Sequence, residues 1–157
     1  MSDYKVEKDR FPVKLFFTDG ATEEGQIYLS LRAAHHEGHE SPQDLLNQQD
    51  VFLPVHFPEG PTRLVNKDHL LMVSFPSGEE EEEEEEQESF VSSVYEVILH
   101  LTNHLQLEGK FVFLLPTHSS RVKDYLNQPQ PFVSLRKEGE AYLINRKHII
   151  AVQEKQR

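Results

Sequence analysis

Cysteine is absent from all 157 positions. That excludes disulfides, thiolate metal sites and a cysteine nucleophile, and it is compatible with a reducing compartment. Long apolar runs are also missing: none approaches the ~20 residues that a membrane-spanning helix needs. The first ten residues, Met1 to Arg10, are charged throughout and lack the apolar stretch of a secretory signal. A soluble, cytoplasmic chain with no membrane attachment is therefore expected. Hydrophobic residues make up only 37% of the sequence, below the usual globular share. The shortfall is local, because the glutamates between Glu79 and Glu88 depress the average.

Charge divides the chain into three parts. Residues 1–76 hold seven Lys/Arg against twelve Asp/Glu, a net of −5; residues 77–89 hold nine Glu and no base, −9; residues 90–157 hold nine Lys/Arg against six Asp/Glu, +3. An acidic whole disfavours nucleic acid, since little counterion release is available to drive binding. The mildly basic last part keeps an anionic ligand open. Eight adjacent carboxylates at Glu79–Glu86 repel one another and stay solvated, so 77–89 is expected to be a disordered acidic linker.

On either side of that linker the sequence repeats itself. Val13-Lys14-Leu15-Phe16-Phe17-Thr18 lies over Val97-Ile98-Leu99-His100-Leu101-Thr102, both alternating as half-buried strands do. Gly25-Gln26-Ile27-Tyr28-Leu29 follows at the same offset as Gly109-Lys110-Phe111-Val112-Phe113, with Asp19-Gly20 and Asn103 as turn signals between. Asp44-Leu45-Leu46-Asn47-Gln48 then matches Asp124-Tyr125-Leu126-Asn127-Gln128. Ser41-Pro42 and Ser119-Ser120 precede these segments as N-cap signals for a short helix ended by Asn. Phe52 and Phe132 follow, and each copy closes with Asn66-Lys67-Asp68-His69 or Asn145-Arg146-Lys147-His148 between apolar runs. The Asn-basic pair suggests a tight turn with a left-handed Asn.

The expected architecture is mainly β. Two tandem small SH3-like or Sm-like β-barrel modules, 11–76 and 90–157, each carry one short helix and are joined by the linker 77–89. A module of this size buries little surface and is marginal alone, so the copies are expected to pack together or share strands. The segment Val13 to Gly20 with Gly25-Gln26-Ile27-Tyr28 resembles the first motif of Sm-like barrels, a likeness that implies ring assembly and RNA binding. The RNA-contacting pattern of that family does not carry over: Ser30-Leu31-Arg32 follows the second strand, and Asn66-Lys67 or Asn145-Arg146 stands near the last. The whole chain also resembles a bacterial domain family of unassigned function, with hairpin, Asp-Tyr-Leu-Asn segment, Phe, and Asn-Lys-x-His-Ile in that order.

Four constellations could carry chemistry. His35, His36 and His39 with Glu37 and Glu40 are candidate metal ligands. Their spacing is not that of the zincin helix, and they lie in a loop four residues longer than its counterpart, as a polar insertion would. His69 and His148 match across the copies but lack a nucleophile and an orienting partner, so a turn role is expected. Asp44 and Asp124 could form a carboxylate pair, although a charge early in a helix suffices to explain each. Arg121, Lys123, Arg136, Lys137, Arg146 and Lys147 are the candidate binding residues for a phosphate-bearing ligand, against the plainer reading of a scattered solvated surface. No catalytic residue, metal or cofactor is expected. The leading functional expectation is a non-enzymatic binding or scaffold protein that docks a protein partner, with self-assembly open. The alternatives are a nucleotide- or nucleic-acid-binding module using the basic face of the second copy, and a small hydrolase or metal protein centred on the histidine loop.

Overall fold

The computed structural model describes residues 8–31, 38–77, 90–116, 118 and 120–155. Apart from Ser77, the expected linker lies outside them, as do His35, His36 and Glu37. The described chain is mainly β, with ten strands and two short α-helices. It divides into two compact units, Met1–Val73 and Ser74–Arg157. Among the described residues no helix is long and apolar enough to cross a membrane.

In the first unit, β1 (Lys8–Phe17) and β2 (Thr22–Ser30) form a hairpin registered from Lys8 opposite Ser30 to Phe16 opposite Thr22. Helix α1 (Pro42–Leu46), β3 (Phe52–His56), β4 (Arg63–Asn66) and β5 (Leu70–Pro76) follow, the last running across the unit boundary. The strand order is β5-β1-β2-β3-β4. In the second unit, β6 (Phe90–Leu101), β7 (Gln106–Pro116), α2 (Val122–Leu126), β8 (Phe132–Lys137), β9 (Glu140–Asn145) and β10 (Ile149–Glu154) are arranged as β10-β6-β7-β8-β9. Position for position, this is the same order. Neither series closes: β4 does not pair with β5, nor β9 with β10. The strands thus form open antiparallel sheet and not the closed barrel expected of each module.

Alternation accounts for the cores. Val13, Leu15, Ile27, Leu29 and Val55 are buried in the first unit, and Val97, Leu99, Leu101, Phe111, Phe113 and Leu135 in the second. Gly25 and Gly109 mark the same close approach between neighbouring strands. A Cβ on Gly109 would lie 2.7 Å from the Arg136 carbonyl oxygen and 2.8 Å from the Leu135 side chain; on Gly25 it would meet Val55 at 2.8 Å and the His56 carbonyl at 3.2 Å. Overpacking of this kind costs about 1–3 kcal/mol. Gly109→Ala should destabilise more than Gly25→Ala, because a carbonyl within a strand cannot move aside as a side chain can. Urea denaturation of the two variants checks the order; equal losses would show that β7 shifts to make room.

Each helix is held at both ends. Ser41 Oγ accepts from Asp44 N at 3.1 Å while Asp44 Oδ2 accepts from Ser41 N at 2.9 Å, a reciprocal cap. In α2 the N-cap is Arg121, not the expected serine, and Asp124 Oδ2 accepts from Arg121 N at 3.0 Å. Asn47 and Asn127 end the helices as expected. Asn66 and Asn145 differ from expectation: their φ values are −73° and −65°, so they are extended, not left-handed. Each caps a short 3-10 turn, Lys67–His69 or Arg146–His148, its side chain accepting from the amide two residues on.

The basic residue after each Asn ties that turn to its helix. Lys67 Nζ donates to the carbonyls of Leu46 at 3.2 Å and Gln48 at 2.7 Å. Arg146 Nη1 donates to Leu126 O at 3.2 Å and to Gln128 O. These carbonyls lie at helix ends, where no intrahelical donor reaches them. Burial pushes the Lys67 ammonium below the usual lysine range, opposed by Asp50 and then Asp68.

Candidate functional site

Strand β10 stands at the end of its strand order and, among the described residues, is bonded on one side only, to β6. Its register slips between Ile149 and Ala151, so Ile150 bulges from the ladder; Ala151 to Glu154 then pair regularly with His100 to Val97. Lys155 N donates to Glu96 O at 2.9 Å, which fixes the direction of the strand's backbone groups. Because those groups alternate sides, Val152 and Glu154 direct their N–H and C=O away from β6, to the open edge.

Beside this edge runs α2. Together they enclose a groove of about 450 Å³ with Val122, Leu126, Ile149, Ile150, Ala151 and Val152 as its apolar lining. Ile150 is 65% exposed and Leu126 half-buried. In the first unit the corresponding Leu71 and Leu46 are 1% and 0% exposed. The same apolar positions are therefore covered in one unit and open in the other. The groove is polarised along β10: Arg146, in the turn directly before Ile149, lines it at the strand's start, and Glu154 lines it at the strand's end, with Lys123 on the α2 side.

The helix wall is rigid because of Tyr125. Its ring stacks on Phe113 at 4.6 Å and meets Phe111 edge-on at 5.2 Å, and its hydroxyl accepts from Ser134 N at 2.9 Å. Burial pushes the Tyr125 phenol above its ordinary value, opposed by the Ser134 hydrogen bond.

Among the described residues β4, of four residues, is also bonded on one side only, to β3, and its Leu64 is 67% exposed. Arg63 there lies 3.8 Å over the Phe57 ring and pairs with Glu23 at 3.2 Å. A short strand bearing a charge is a guarded edge.

The six basic candidates do not converge on one pocket. Arg121 pairs with Asp124 at 3.6 Å, and Arg146 spends its guanidinium on the two carbonyls described above. Lys123 lies on the groove, and the Lys147 amide donates to the Asn145 side chain. Arg136 and Lys137 line a second cavity, of about 420 Å³, with Lys110, Lys155, Glu96, Glu108 and Glu138. Glu108 and Lys155 pair there at 2.8 Å; that bond, then Lys137, holds the Glu108 carboxyl below its usual range, and the same bond, then Glu96, raises Lys155. The trough mixes both signs of charge.

Among the described residues no three metal-type side chains come together. Of the histidine loop, His39 is exposed and Glu40 is buried. The Glu40 carboxylate accepts from Ser30 N at 3.1 Å and Gln48 Nε2 at 2.7 Å, tying Glu40 to the end of β2. The His69 and His148 carbonyls accept from Thr18 N and Thr102 N, so both residues hold turns. Asp44 and Asp124 each cap their own helix.

The open groove was not visible in the sequence. Leu70-Leu71-Met72-Val73 and Ile149-Ile150-Ala151-Val152 read alike as core strands. Comparison with protein-family models, curated proteins and solved structures returned no match.

Proposed function

We propose that this protein is a non-enzymatic binding or scaffold protein, built from two copies of one β module, that docks a protein partner in the groove between α2 and β10. The observation that carries the reading is the 65% exposure of Ile150 on a strand with one free edge. Exposed apolar surface rimmed by charge is costly in water unless a partner covers it, and an unpaired edge invites another strand. A second reading is an anionic ligand, a nucleotide or nucleic acid, in the trough of Lys110, Arg136, Lys137 and Lys155, which gathers four cations around three glutamates.

One experiment separates them. The chain and two variants, Ile150→Lys and Lys137→Glu, are used for affinity capture with and without nuclease. A partner that survives nuclease and is lost with Ile150→Lys is the expected result. Material removed by nuclease and lost with Lys137→Glu would favour the trough instead.

A further inference from the structure

Resting on the docking reading, we infer that the partner enters as an extended strand, added antiparallel to β10, with an apolar middle, acidic residues at its C-terminal end and a basic residue at its N-terminal end. Three observations lead there. Val152 and Glu154 offer backbone donors and acceptors on the open side of the sheet, and strand addition to such an edge draws its affinity from main-chain hydrogen bonds. Next to them, Ile149, Ile150, Val122 and Leu126 form an apolar floor, which takes alternate side chains of an incoming strand. Charge then fixes direction. Among the described residues the seven strand pairs of known register are antiparallel. A strand laid antiparallel to β10 ends beside Ile149, where Arg146 lines the groove and Lys147 lies just before the strand, and it begins beside Glu154.

The groove therefore selects for sequence polarity as well as hydrophobicity. Arg146 is held by the Leu126 and Gln128 carbonyls and contributes a fixed positive charge; Lys123 is exposed on α2 and reaches from its stem. A second copy of this chain fits less well. Among the described residues the other one-sided strand, β4, runs Arg63-Leu64-Val65-Asn66 and carries no acidic residue.

The test uses two short fluorescein-labelled peptides of alternating valine and threonine. One has lysine at its N-terminal end and two glutamates at its C-terminal end; the other has these charges exchanged. Anisotropy is measured with the full chain, and amide exchange of the same samples is followed by NMR. The expected result is saturable binding of the first peptide, protection of the Val152 and Glu154 amides, and affinity for the exchanged peptide at least about tenfold weaker, equivalent to about 1.4 kcal/mol. Ile150→Lys should abolish binding without altering the melting temperature, and Glu154→Lys should narrow the preference between the two peptides. Tighter binding of the exchanged peptide would overturn the antiparallel assignment. Failure of both peptides would overturn strand addition, while leaving intact any nuclease-resistant, Ile150-dependent capture. Protection of Val152 and Glu154 without peptide, rising with protein concentration, would overturn the partner in favour of self-association.

Discussion

Phe111→Ala should lower the unfolding free energy by about 3–5 kcal/mol, the range for removing a buried phenylalanine. Phe111 is fully buried in β7 and meets the Tyr125 ring edge-on. Its loss leaves a cavity and also removes one of two aromatic supports for α2; Phe113, itself stacked with Tyr95 at 5.6 Å, is the other. Both consequences are measurable. Guanidinium denaturation reports the stability loss, and the peptide assay reports loosening of the groove wall. Phe111→Leu keeps most of the volume and should cost less than half as much. Leu114→Ala, on the same strand but 42% exposed, should change little. If Leu114→Ala cost as much as Phe111→Ala, the aromatic cluster would not be the centre of this unit.

Lys67→Ala should cost about 2–4 kcal/mol, because it strands the Leu46 and Gln48 carbonyls at a buried helix end and each unmade bond to a buried group costs about 1–3 kcal/mol. Lys67→Arg should be far milder, since an arginine makes the same tie at Arg146 in the other unit. The substitution also has a pH signature. The Lys67 ammonium is pushed below its ordinary 10.5, first by burial. Between its folded value and 10.5, the unfolded chain holds a proton that the folded chain has released. Stability from this group therefore rises with pH across that window. Arginine stays charged there, so the rise should vanish in Lys67→Arg. The raised Tyr125 phenol acts in the opposite sense above its unfolded value of 10.0, but equally in both proteins. It cancels in the difference between their denaturation midpoints measured against pH.

Local features of the fold were legible. The alternation of Val13 and Leu15, and of Val97, Leu99 and Leu101, located the hairpin strands because burial on one face leaves a period of two. Ser41 and Asp44 announced a helix start, and Asn47 and Asn127 its end. The chemistry of Asn66 and Asn145 was misread: a left-handed turn and a 3-10 cap use the same residue, and only the following backbone distinguishes them. Arg146 reads as a ligand-binding charge because it is one of six basic residues that make the second half basic. The carbonyls it serves come from about twenty residues earlier. The groove was invisible for a similar reason. An apolar strand encodes a preference for cover, not whether that cover is present, so Leu71 is buried and Ile150 exposed on one pattern.

Ile150 has a further consequence for the protein inside a cell. Abundance follows the unfolded fraction, which chaperones and proteases continuously sample. Substitutions at Phe111 would deplete the protein itself. A substitution on the outer edge of β10 would leave its level and turnover unchanged, removing the proposed docking while every assay of expression, solubility or melting reported a normal molecule.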